Sequence, residues 1–543
     1  VSPNRVQVKQ PKDFEVPAGG LNIRWPDEPK EQEERLHRYK IDAVRAFARV
    51  NKLDRMVFET KNPRIGVITC GKSYMDVMQA LQYLGVGERE ANRLGLRVYK
   101  VAMTWPMEPE GLVEFASGLK KIYVIEEKRG LMESQVKEIL YHQKDMPLVV
   151  GKKDEHGNEL FPSIQSLNPT DIAIILGKGL QKFTSDPSVQ ENIERCESLL
   201  AHPPAKPAME RTPYFCSGCP HNTGTRLPDG SIALSGIGCH FMVQWTDPNT
   251  SGYTQMGGEG AGWMGEAPFI ERSHAFQNIG DGTYYHSGLL AIRASVASGV
   301  NVTYKILYND AVAMTGGQRV DGPMTVPQIT HQLVGESVKK IVVVTDEPHK
   351  YGGKADFAEG VEIYHRDDYT KVQKEIRKIE GTTAIIYDQT CGSEKRRRRK
   401  RNLYPDPPKR AFINDSVCEG CGDCGLKSNC VSVTPLETDF GRKRKIDQSA
   451  CNKDYSCVKG FCPSFVTVHG GGLRKQSIKK TKNNLEGLFP VLSEPKPVDL
   501  DNAYGIIVTG IGGTGVVTVG AIIGMAAHIE GKSFGGLDMA GLA

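Results

Sequence analysis

The sequence carries little net charge for its length. The 69 Lys and Arg residues nearly balance the 64 Asp and Glu residues of the 543-residue chain, which leaves a formal net charge of +5. A protein whose main partner is nucleic acid usually carries a larger positive excess, so the overall charge does not indicate such a partner. The chain is long enough for about three or four domains of ordinary size.

The sequence also lacks a recognisable secretory signal. Secreted disulfide-rich domains are short and usually carry such a signal, so the 13 cysteines do not indicate a disulfide framework. Ten of them fall in two groups, at residues 216–239 and 418–462, with several C-x2-C spacings. Such clustering in a long chain of otherwise cytosolic composition favours metal binding. We therefore expect a cytoplasmic protein that binds metal through thiolates.

The C-terminal end has an apolar stretch without charged residues, Gly505–Ile529. Its length alone would fit a membrane span. Its many glycines and its short β-branched start favour a strand, a glycine loop and a helix instead, so no membrane span is expected. The chain starts at Val1 rather than Met and stops at Ala543, soon after this segment opens a new domain, so we expect a fragment that lacks sequence at both ends.

Apolar runs that read as strands alternate with amphipathic segments that read as helices. This alternation predicts α/β domains with parallel sheets and right-handed crossovers. The predicted strands are 64–70, 96–102, 120–127, 275–280, 302–309, 339–346 and 382–388, and the clearest predicted helices are 74–85 and 109–119. A segment of about 60 residues before Cys216 reads as a linker.

A glycine–aspartate–glycine sequence follows the predicted strand 275–280. Asn309 lies 27 residues beyond Gly282, at the end of the next strand. Strand ends in a parallel sheet are where ligands bind, and Gly280 and Gly282 let the backbone approach a diphosphate. The oxygens of Asp281 and Asn309 suit Mg²⁺, which can hold that diphosphate. The alternative is that the glycine–aspartate–glycine sequence forms only a tight turn and binds no ligand.

This spacing resembles the thiamine diphosphate-binding motif, and the stretch 309–318 resembles the corresponding loop of pyruvate:ferredoxin oxidoreductases. The resemblance implies that the backbone carbonyl of Ala311 is a third Mg²⁺ ligand. It also implies that Thr315, Gly316 and Gln318 bind the cofactor. His240 and His286 lie near the motif, and each is either a proton donor to a reacting carbonyl or a structural histidine.

The first cysteine group provides three thiolates, from Cys216, Cys219 and Cys239. A tetrahedral sulfur site, whether zinc or iron–sulfur, needs a fourth. Cys391 is the only other cysteine between Cys239 and the later group. The arrangement resembles the proximal 4Fe–4S cluster of 2-oxoacid:ferredoxin oxidoreductases, which implies that these four cysteines are its ligands.

The second group resembles a bacterial two-cluster ferredoxin, in which the fourth cysteine of each run ligates the other cluster. Crossing the ligands in this way gives one 4Fe–4S set of Cys418, Cys421, Cys424 and Cys462, and a second set of Cys430, Cys451, Cys457 and Asp454. An aspartate thus occupies a cysteine position in the second run. The second site is either a 4Fe–4S cluster with Asp454 as fourth ligand, or a 3Fe–4S or solvent-ligated form. A zinc module is the alternative to both clusters.

A basic run, 395–401, precedes this module. We expect residues 394–410 to form a solvated, exposed linker. Two alternatives are a docking patch for an acidic electron carrier and a nucleic-acid patch. Further on, Gly510, Gly512 and Gly515 match the dinucleotide fingerprint, although the local sequence resembles the opening of the gamma domain of the same oxidoreductases.

Together these motifs resemble the fused alpha/gamma type of indolepyruvate:ferredoxin oxidoreductases. The implied fold is α/β and multidomain, with an inserted ferredoxin-like module carrying two 4Fe–4S clusters. The expected divisions are a linker and helix at 1–62, a transketolase C-terminal-like domain at 63–145, a connecting segment at 146–209, a thiamine diphosphate-binding domain at 210–393, the basic linker at 394–410, the ferredoxin-like module at 411–470, a linker at 471–502 and the start of a gamma domain at 503–543.

The resemblance implies oxidative decarboxylation of an arylpyruvate with coenzyme A, with electrons passing through about three clusters to ferredoxin. Another 2-oxoacid, such as pyruvate, 2-oxoglutarate or a branched-chain acid, is an alternative substrate. A non-catalytic electron-transfer subunit and a zinc-stabilised nucleic-acid-binding protein are alternatives of other classes. The resemblance further implies a homo-oligomer, and it implies that the pyrimidine-binding domain is not part of this chain.

Overall fold

The computed structural model describes residues 7–12, 14–22, 27–201, 212–317, 320, 322, 324–352, 355–470, 494, 504–510 and 515–536. The chain divides into two compact units, one within Val6–Ala208 and the other within Met209–Ala543.

The first unit is built on a five-stranded sheet in the order β1-β3-β2-β4-β5. Its strands are β1 (Arg55–Phe58), β2 (Ile65–Cys70), β3 (Leu96–Val101), β4 (Lys121–Ile125) and β5 (Leu148–Val150). β1 pairs with β3 in antiparallel fashion, and the other pairings are parallel. The three strands predicted in this region are therefore confirmed.

Eight α-helices accompany this sheet. They are α1 (Pro29–Arg35), α2 (Ile41–Val50), α3 (Gly71–Tyr83), α4 (Glu88–Leu94), α5 (Pro109–Ala116), α6 (Leu131–Leu140), α7 (Pro169–Gln181) and α8 (Pro187–Ala201). A short π-helical turn, Leu36–Lys40, joins α1 to α2.

The region 146–209 is not the connecting segment that we expected. It contains α7 and α8, and buried residues of both helices, including Leu176 and Ile193, belong to the same core cluster as Val67 of β2. A helix with a continuous apolar face must bury it, so these helices are part of the unit. Residues 1–62 also contribute more than a linker and a helix, because β1 joins the sheet.

The second unit contains a seven-stranded, wholly parallel sheet in the order β11-β10-β12-β9-β8-β6-β7. Its strands are β6 (Ala233–Leu234), β7 (Thr250–Ser251), β8 (Ala275–Gly280), β9 (Val302–Tyr308), β10 (Ile341–Thr345), β11 (Glu362–His365) and β12 (Thr382–Asp388). Apolar clusters cover both faces, as a parallel sheet requires. The four strands predicted here are confirmed.

The helices of this α/β domain are mostly short. They are α9 (His221–Gly224), α10 (Ala261–Glu266), α11 (Asp281–Thr283), α12 (Leu289–Ser298), α13 (Val326–Gly335), α14 (Tyr369–Ile376) and α15 (Gly392–Lys400). A π-helical turn, Tyr284–Gly288, continues α11 into α12, and a 3₁₀ helix, Cys239–Trp245, lies between β6 and β7.

The basic run is a helix rather than the exposed linker that we expected. It lies within α15, where Lys395 is buried and its Nζ lies 2.7 Å from the Asp346 carboxylate. Arg396 and Arg399 donate to the backbone carbonyls of Ser449 and Asn452. The cations from Lys395 to Arg399 therefore have acceptors inside the same unit and do not form the free basic patch required for nucleic-acid or carrier docking. Lys400 and Arg401, at the end of the run, are exposed.

Two antiparallel strand pairs and a short helix follow in the region 411–470, which we predicted to be a ferredoxin-like module. β13 (Lys409–Ile413) pairs with β16 (Phe465–His469), and β14 (Val433–Thr438) pairs with β15 (Gly441–Ile446). Helix α16 (Asp423–Ser428) lies between β13 and β14.

The C-terminal segment forms α17 (Val516–Ile529), as predicted, but the strand predicted before it is wrong. Residues 504–510 are largely exposed and have no regular secondary structure. A β-strand needs hydrogen-bonded neighbours, and no described strand pairs with this segment. Helix α17 has 14 residues, and no helix in the described ranges is long and apolar enough to cross a membrane.

Gly177 allows α7 to pack closely on α8. A Cβ added there would lie 2.6 Å from Ile193 Cγ1 and 3.0 Å from a Leu84 methyl. We expect Gly177→Val to overpack this contact and lower the stability of the first unit by about 2 kcal/mol. Limited proteolysis of the full chain at increasing temperature would measure the thermal unfolding of the first unit. Gly262→Val in α10, where a Cβ meets nothing within 4 Å, is the control. Equal unfolding temperatures of the first unit in the two variants would contradict the close packing of α7 on α8.

Candidate functional site

The glycine–aspartate–glycine sequence lies where β8 ends and α11 begins. The Asp281 carboxylate accepts hydrogen bonds from the backbone N–H groups of Gly282 at 2.8 Å and of Asn309 at 2.9 Å. The Asp310 N–H donates to the same carboxylate at 3.0 Å. Asn309 follows β9, so the two neighbouring parallel strands bring the predicted metal ligands together at one edge of the sheet.

Asp281 has the environment of a ligand for a cation. It is buried, and burial raises the pKa of its carboxyl to about 6 despite the hydrogen bonds from Asn309, Gly282 and Asp310. Among the described residues no basic side chain pairs with it. A divalent cation would supply the missing positive charge. Asn309 and Ala311 are also buried, and the Asn309 side-chain oxygen accepts from the Ala311 N–H at 3.2 Å.

The loop after Asn309 places the other predicted cofactor residues nearby. Thr315 ends a 3₁₀ turn that starts at Ala313, and Gly316 follows with φ 114°, a conformation that favours glycine. Gln318 lies outside the described residues.

A cavity of about 630 Å³ opens beside Asp281. Aromatic and apolar side chains form much of its wall, and charged side chains of α15 and its C-terminal end complete it. The lining residues used below are Asp281, Tyr285, Tyr308, Met324, Arg398 and Arg401.

Helix α15 holds the loop that carries the predicted metal ligands Asn309 and Ala311. The Arg398 guanidinium donates to the Asp310 carboxylate at 2.6 Å and to the Asp310 carbonyl at 3.3 Å. Arg397 packs against Gly317, where an added Cβ would collide with its guanidinium. Glu394 holds both arginines, accepting from Arg397 Nε at 2.7 Å and from Arg398 Nε at 3.0 Å.

Four thiols lie together beside this loop, and we call them the four-thiol group: Cys216, Cys219, Cys239 and Cys391. Burial raises the pKa of Cys239 to about 12 and raises that of Cys219 well above its usual value, and the neighbouring thiols add to both rises. Burial also raises the pKa of Cys391, although hydrogen bonds from the backbone N–H groups of Glu394 and Ser393 act to lower it. Burial is the largest cause of each rise, and a positively charged metal core would act in the opposite direction.

Cys391 connects this group directly to the diphosphate motif. Its backbone N–H donates to the Asn309 carbonyl at 3.0 Å. The next residue, Gly392, packs on the loop between Cys216 and Cys219, since an added Cβ would lie 2.8 Å from the Gly218 carbonyl oxygen. The return of β12 to the site thus explains why the fourth cysteine is so distant in sequence.

The two histidines differ in their surroundings. His240 is buried against the motif, with its ring 3.4 Å from a Cβ built on Gly280. Burial lowers its pKa to about 3, and His221 and Lys305 contribute to the shift, so the imidazole is neutral near neutral pH. His286 is exposed, and its Nδ1 lies 2.9 Å from the Ser287 hydroxyl.

The module contains two further thiol groups. We call Cys418, Cys421, Cys424 and Cys462 the outer group. Burial raises the pKa of Cys424, and Cys418 and Cys462 contribute to the rise. Cys421 of the same predicted set is exposed. We call Cys430, Cys451 and Cys457 the inner group. Burial raises the pKa of Cys457 to about 12, with contributions from Cys451 and Cys430. The thiols that contribute to each rise belong to the same predicted ligand set as the thiol whose pKa they raise.

The described part of the chain shows no group of three or more His, Cys, Asp or Glu side chains arranged to hold a metal ion. Backbone donors nevertheless point at the module sulfurs. The Gly420 N–H lies 3.4 Å from Cys418 Sγ, and the Lys453 N–H lies 3.4 Å from Cys451 Sγ.

The inner group lies against the four-thiol group. Ser217 Oγ is 3.5 Å from Cys430 Sγ, and the Ser217 carbonyl accepts from the Asn452 amide at 2.7 Å. The loop between Cys216 and Cys219 is therefore part of the contact surface between the α/β domain and the module.

Asp454 is buried at this contact, and its carboxylate is held by Arg366, Gln389 and Ser456. Burial acts to raise the pKa of Asp454, but Arg366 and these hydrogen bonds outweigh it and hold the pKa below its usual value. Sequence reasoning missed Arg366 and Gln389. Neither belongs to a motif, and only the proximity of Gln389 to Cys391 in sequence offered a signal.

Burial predicts an order of thiol reactivity in the metal-free chain. Cys216 and Cys421 are exposed, whereas Cys239 and Cys391 are half-buried, and burial raises the pKa of both. We expect iodoacetamide at about pH 8 to label the exposed pair roughly 100-fold faster, because the thiolate is the reactive form. Mass spectrometry of timed digests would measure this, and the urea-unfolded chain should label evenly. Similar rates in the folded chain would contradict the burial.

The chain is similar to known sequences. Residues 55–202 match the family model described as the indolepyruvate oxidoreductase domain. The indolepyruvate oxidoreductase subunit IorA of Thermococcus kodakarensis is 26% identical over 431 residues, which cover 74% of this chain and 60% of the relative. The corresponding subunit of Pyrococcus abyssi is 25% identical over 468 residues, which cover 80% of this chain and 66% of the relative. The chain thus spans about three fifths of the length of the first of these relatives.

A solved structure of a 2-oxoglutarate:ferredoxin oxidoreductase from Magnetococcus marinus aligns with 33% of this chain and 65% of its own chain, at 18% identity and a TM-score of 0.26. A TM-score this low supports no inference, so the α/β fold rests on the parallel sheets described above. The sequence similarity confirms the resemblance that the motifs predicted: over about three quarters of its length, the chain is similar to indolepyruvate oxidoreductase subunits.

Proposed function

We propose that the chain is part of a 2-oxoacid:ferredoxin oxidoreductase that decarboxylates an arylpyruvate such as indolepyruvate with coenzyme A, giving the aryl-acetyl-CoA. Electrons would pass through iron–sulfur clusters to ferredoxin. One observation carries the proposal: the hydrogen bond from the Cys391 N–H to the Asn309 carbonyl joins a diphosphate-binding motif to a group of four thiols. A cofactor site and an electron acceptor in direct contact are what such a reaction requires.

The residues at the end of β8 and β9 would hold Mg²⁺ and the diphosphate. Asp281 and Asn309 would provide side-chain oxygens, and Ala311 its carbonyl. Thiamine diphosphate, when bound, supplies the electron sink for loss of CO₂ from a 2-oxoacid. Arg397 and Arg398 would keep the ligand-bearing loop in place, because both pack on it from α15.

The contacts between the thiol groups support one order of electron transfer. The four-thiol group is next to the diphosphate motif, and the inner group touches the four-thiol group through Ser217. The outer group, with Cys421 exposed, would then be the last station and the one nearest to ferredoxin. Each group would hold an iron–sulfur cluster through its thiolates.

The cavity beside Asp281 supports an aromatic substrate. Tyr285, Tyr308 and Met324 offer apolar and aromatic surface to an indole or phenyl ring, and Arg398 and Arg401 offer positive charge to a carboxylate. The names of the relatives also favour indolepyruvate. Pyruvate, 2-oxoglutarate and branched-chain acids are the alternatives that a substrate panel would test.

The metal role of Asp281 predicts the behaviour of one substitution. We expect Asp281→Asn to weaken binding of thiamine diphosphate by about 100-fold or more in the presence of Mg²⁺, because the only charged ligand is lost. Isothermal titration calorimetry would measure this. Asp367→Asn is the control, since that half-exposed carboxylate pairs with Lys459 instead. Equal affinities of the two variants, or binding that does not depend on Mg²⁺, would contradict the assignment.

The electron path predicts a colour change. The complete protein that contains this chain, prepared anaerobically with iron, sulfide and thiamine diphosphate, should be brown, and indolepyruvate plus coenzyme A should bleach its visible absorption. Metal analysis should give iron and acid-labile sulfide. Bleaching by dithionite but by no 2-oxoacid would favour a non-catalytic electron-transfer role, and a colourless chain that contains zinc would refute the proposed electron path.

A further inference from the structure

Asp454 occupies a cysteine position in the module, but its carboxylate is fully engaged by protein donors. Oδ1 accepts from Arg366 Nη1 at 2.5 Å and from Gln389 Nε2 at 3.1 Å. Oδ2 accepts from the Ser456 N–H at 3.3 Å and from the Ser456 hydroxyl. A carboxylate offers about four lone-pair positions, and four donors fill them.

The Arg366 guanidinium is committed to the same residue. Its Nη2 donates to the Asp454 carbonyl at 2.8 Å, and the two side chains retain only 9% and 12% of their exposure. Ligation of iron by Asp454 would therefore leave a buried guanidinium without its carboxylate partner. Breaking a buried ion pair in this way is strongly unfavourable.

The donors also come from residues beside cysteines of two different thiol groups. Gln389 precedes Cys391 of the four-thiol group by two residues, and Ser456 directly precedes Cys457 of the inner group. Asp454 Cβ would lie 3.1 Å from a Cβ on Gly218, in the loop between Cys216 and Cys219. The carboxylate therefore lies at the point where the two groups meet.

We propose that Asp454 is a positioning residue that does not ligate iron, and that the inner group holds its cluster through three thiolates only. Paired with Arg366, Asp454 fixes the inner group against the four-thiol group. This inference rests on the proposed function for the presence of clusters. One corner of the inner cluster is then open to solvent or lacks iron, so the cluster is either a solvent-ligated four-iron form or a three-iron form.

The first test is the cluster content of Asp454→Asn, which keeps the shape of the side chain and removes its charge. We expect the reconstituted variant to contain the same iron per chain as the unchanged protein and to give the same type of electron paramagnetic resonance signal from its inner cluster. Loss of about one iron per chain, together with conversion of a four-iron signal to a three-iron signal, would overturn the inference.

The second test is the magnetic coupling between the two clusters, which depends on their separation. We expect Arg366→Gln and Asp454→Asn each to weaken the spin–spin broadening in the spectrum of the reduced protein. The double variant should weaken the broadening no further than either single variant does. Arg366→Lys should restore part of the coupling. Unchanged broadening in Arg366→Gln would overturn the inference, because Arg366 would then play no part in placing the clusters.

A matched control exists between the same two segments. Asp367 pairs with Lys459, and both are about half-exposed. Asp367→Asn should leave iron content and broadening unchanged, because exposed ion pairs contribute little. A chain that binds no iron in any variant would refute the proposed clusters as a whole, whereas a defect of one iron confined to Asp454→Asn would refute only the positioning role.

Discussion

The structure of the site depends on the burial of a strongly basic helix. Helix α15 carries a run of cations that cannot lie against protein unless each finds an acceptor. The helical repeat divides them between two faces. Arg397 and Arg398 reach the loop after Asn309, while Arg396 and Arg399, three residues apart, reach carbonyls of the module. One helix therefore holds the diphosphate-binding loop and the module in a single arrangement.

The start of the same helix completes this arrangement. Cys391 lies immediately before α15, and its backbone is bonded to Asn309. A shift of the helix would therefore move three features together: the fourth thiol, the loop with the metal ligands and the module that follows. In the proposed function, electron transfer between the thiol groups would need short and constant distances. The concentration of charge in α15 would keep those distances fixed, since charge-assisted hydrogen bonds are directional as well as strong.

The sequence revealed those parts of the site in which chemistry demands given residues at given spacings. The glycines and Asp281 at a strand end, and cysteines two residues apart, could be recognised because ligand geometry limits the choice. Even Cys391 could be proposed by elimination. The fate of the basic run could not be predicted, because its acceptors, such as Asp310 and Asp346, lie about 50 to 90 residues away along the chain. Likewise, the stretch 505–509 has the composition of a strand, but a strand exists only if another strand pairs with it.

The replacement of a cysteine by Asp454 is best explained together with the glycine that faces it. Gly218 has φ +64°, and any side chain there would press on Asp454 and Asn452, with Cβ separations of 3.1 and 3.2 Å. The loop between Cys216 and Cys219 thus approaches the module so closely that only glycine fits. At such a contact a thiolate would have faced Arg366 with a single sulfur atom, whereas a carboxylate can accept from Arg366, Gln389 and Ser456 at once. The aspartate accepts from four donors on three residues at this close contact. Gly218 and Asp454 lie 236 positions apart in the sequence. Gly218 allows the close contact of the neighbouring thiol groups, and Asp454 pairs the donors buried there.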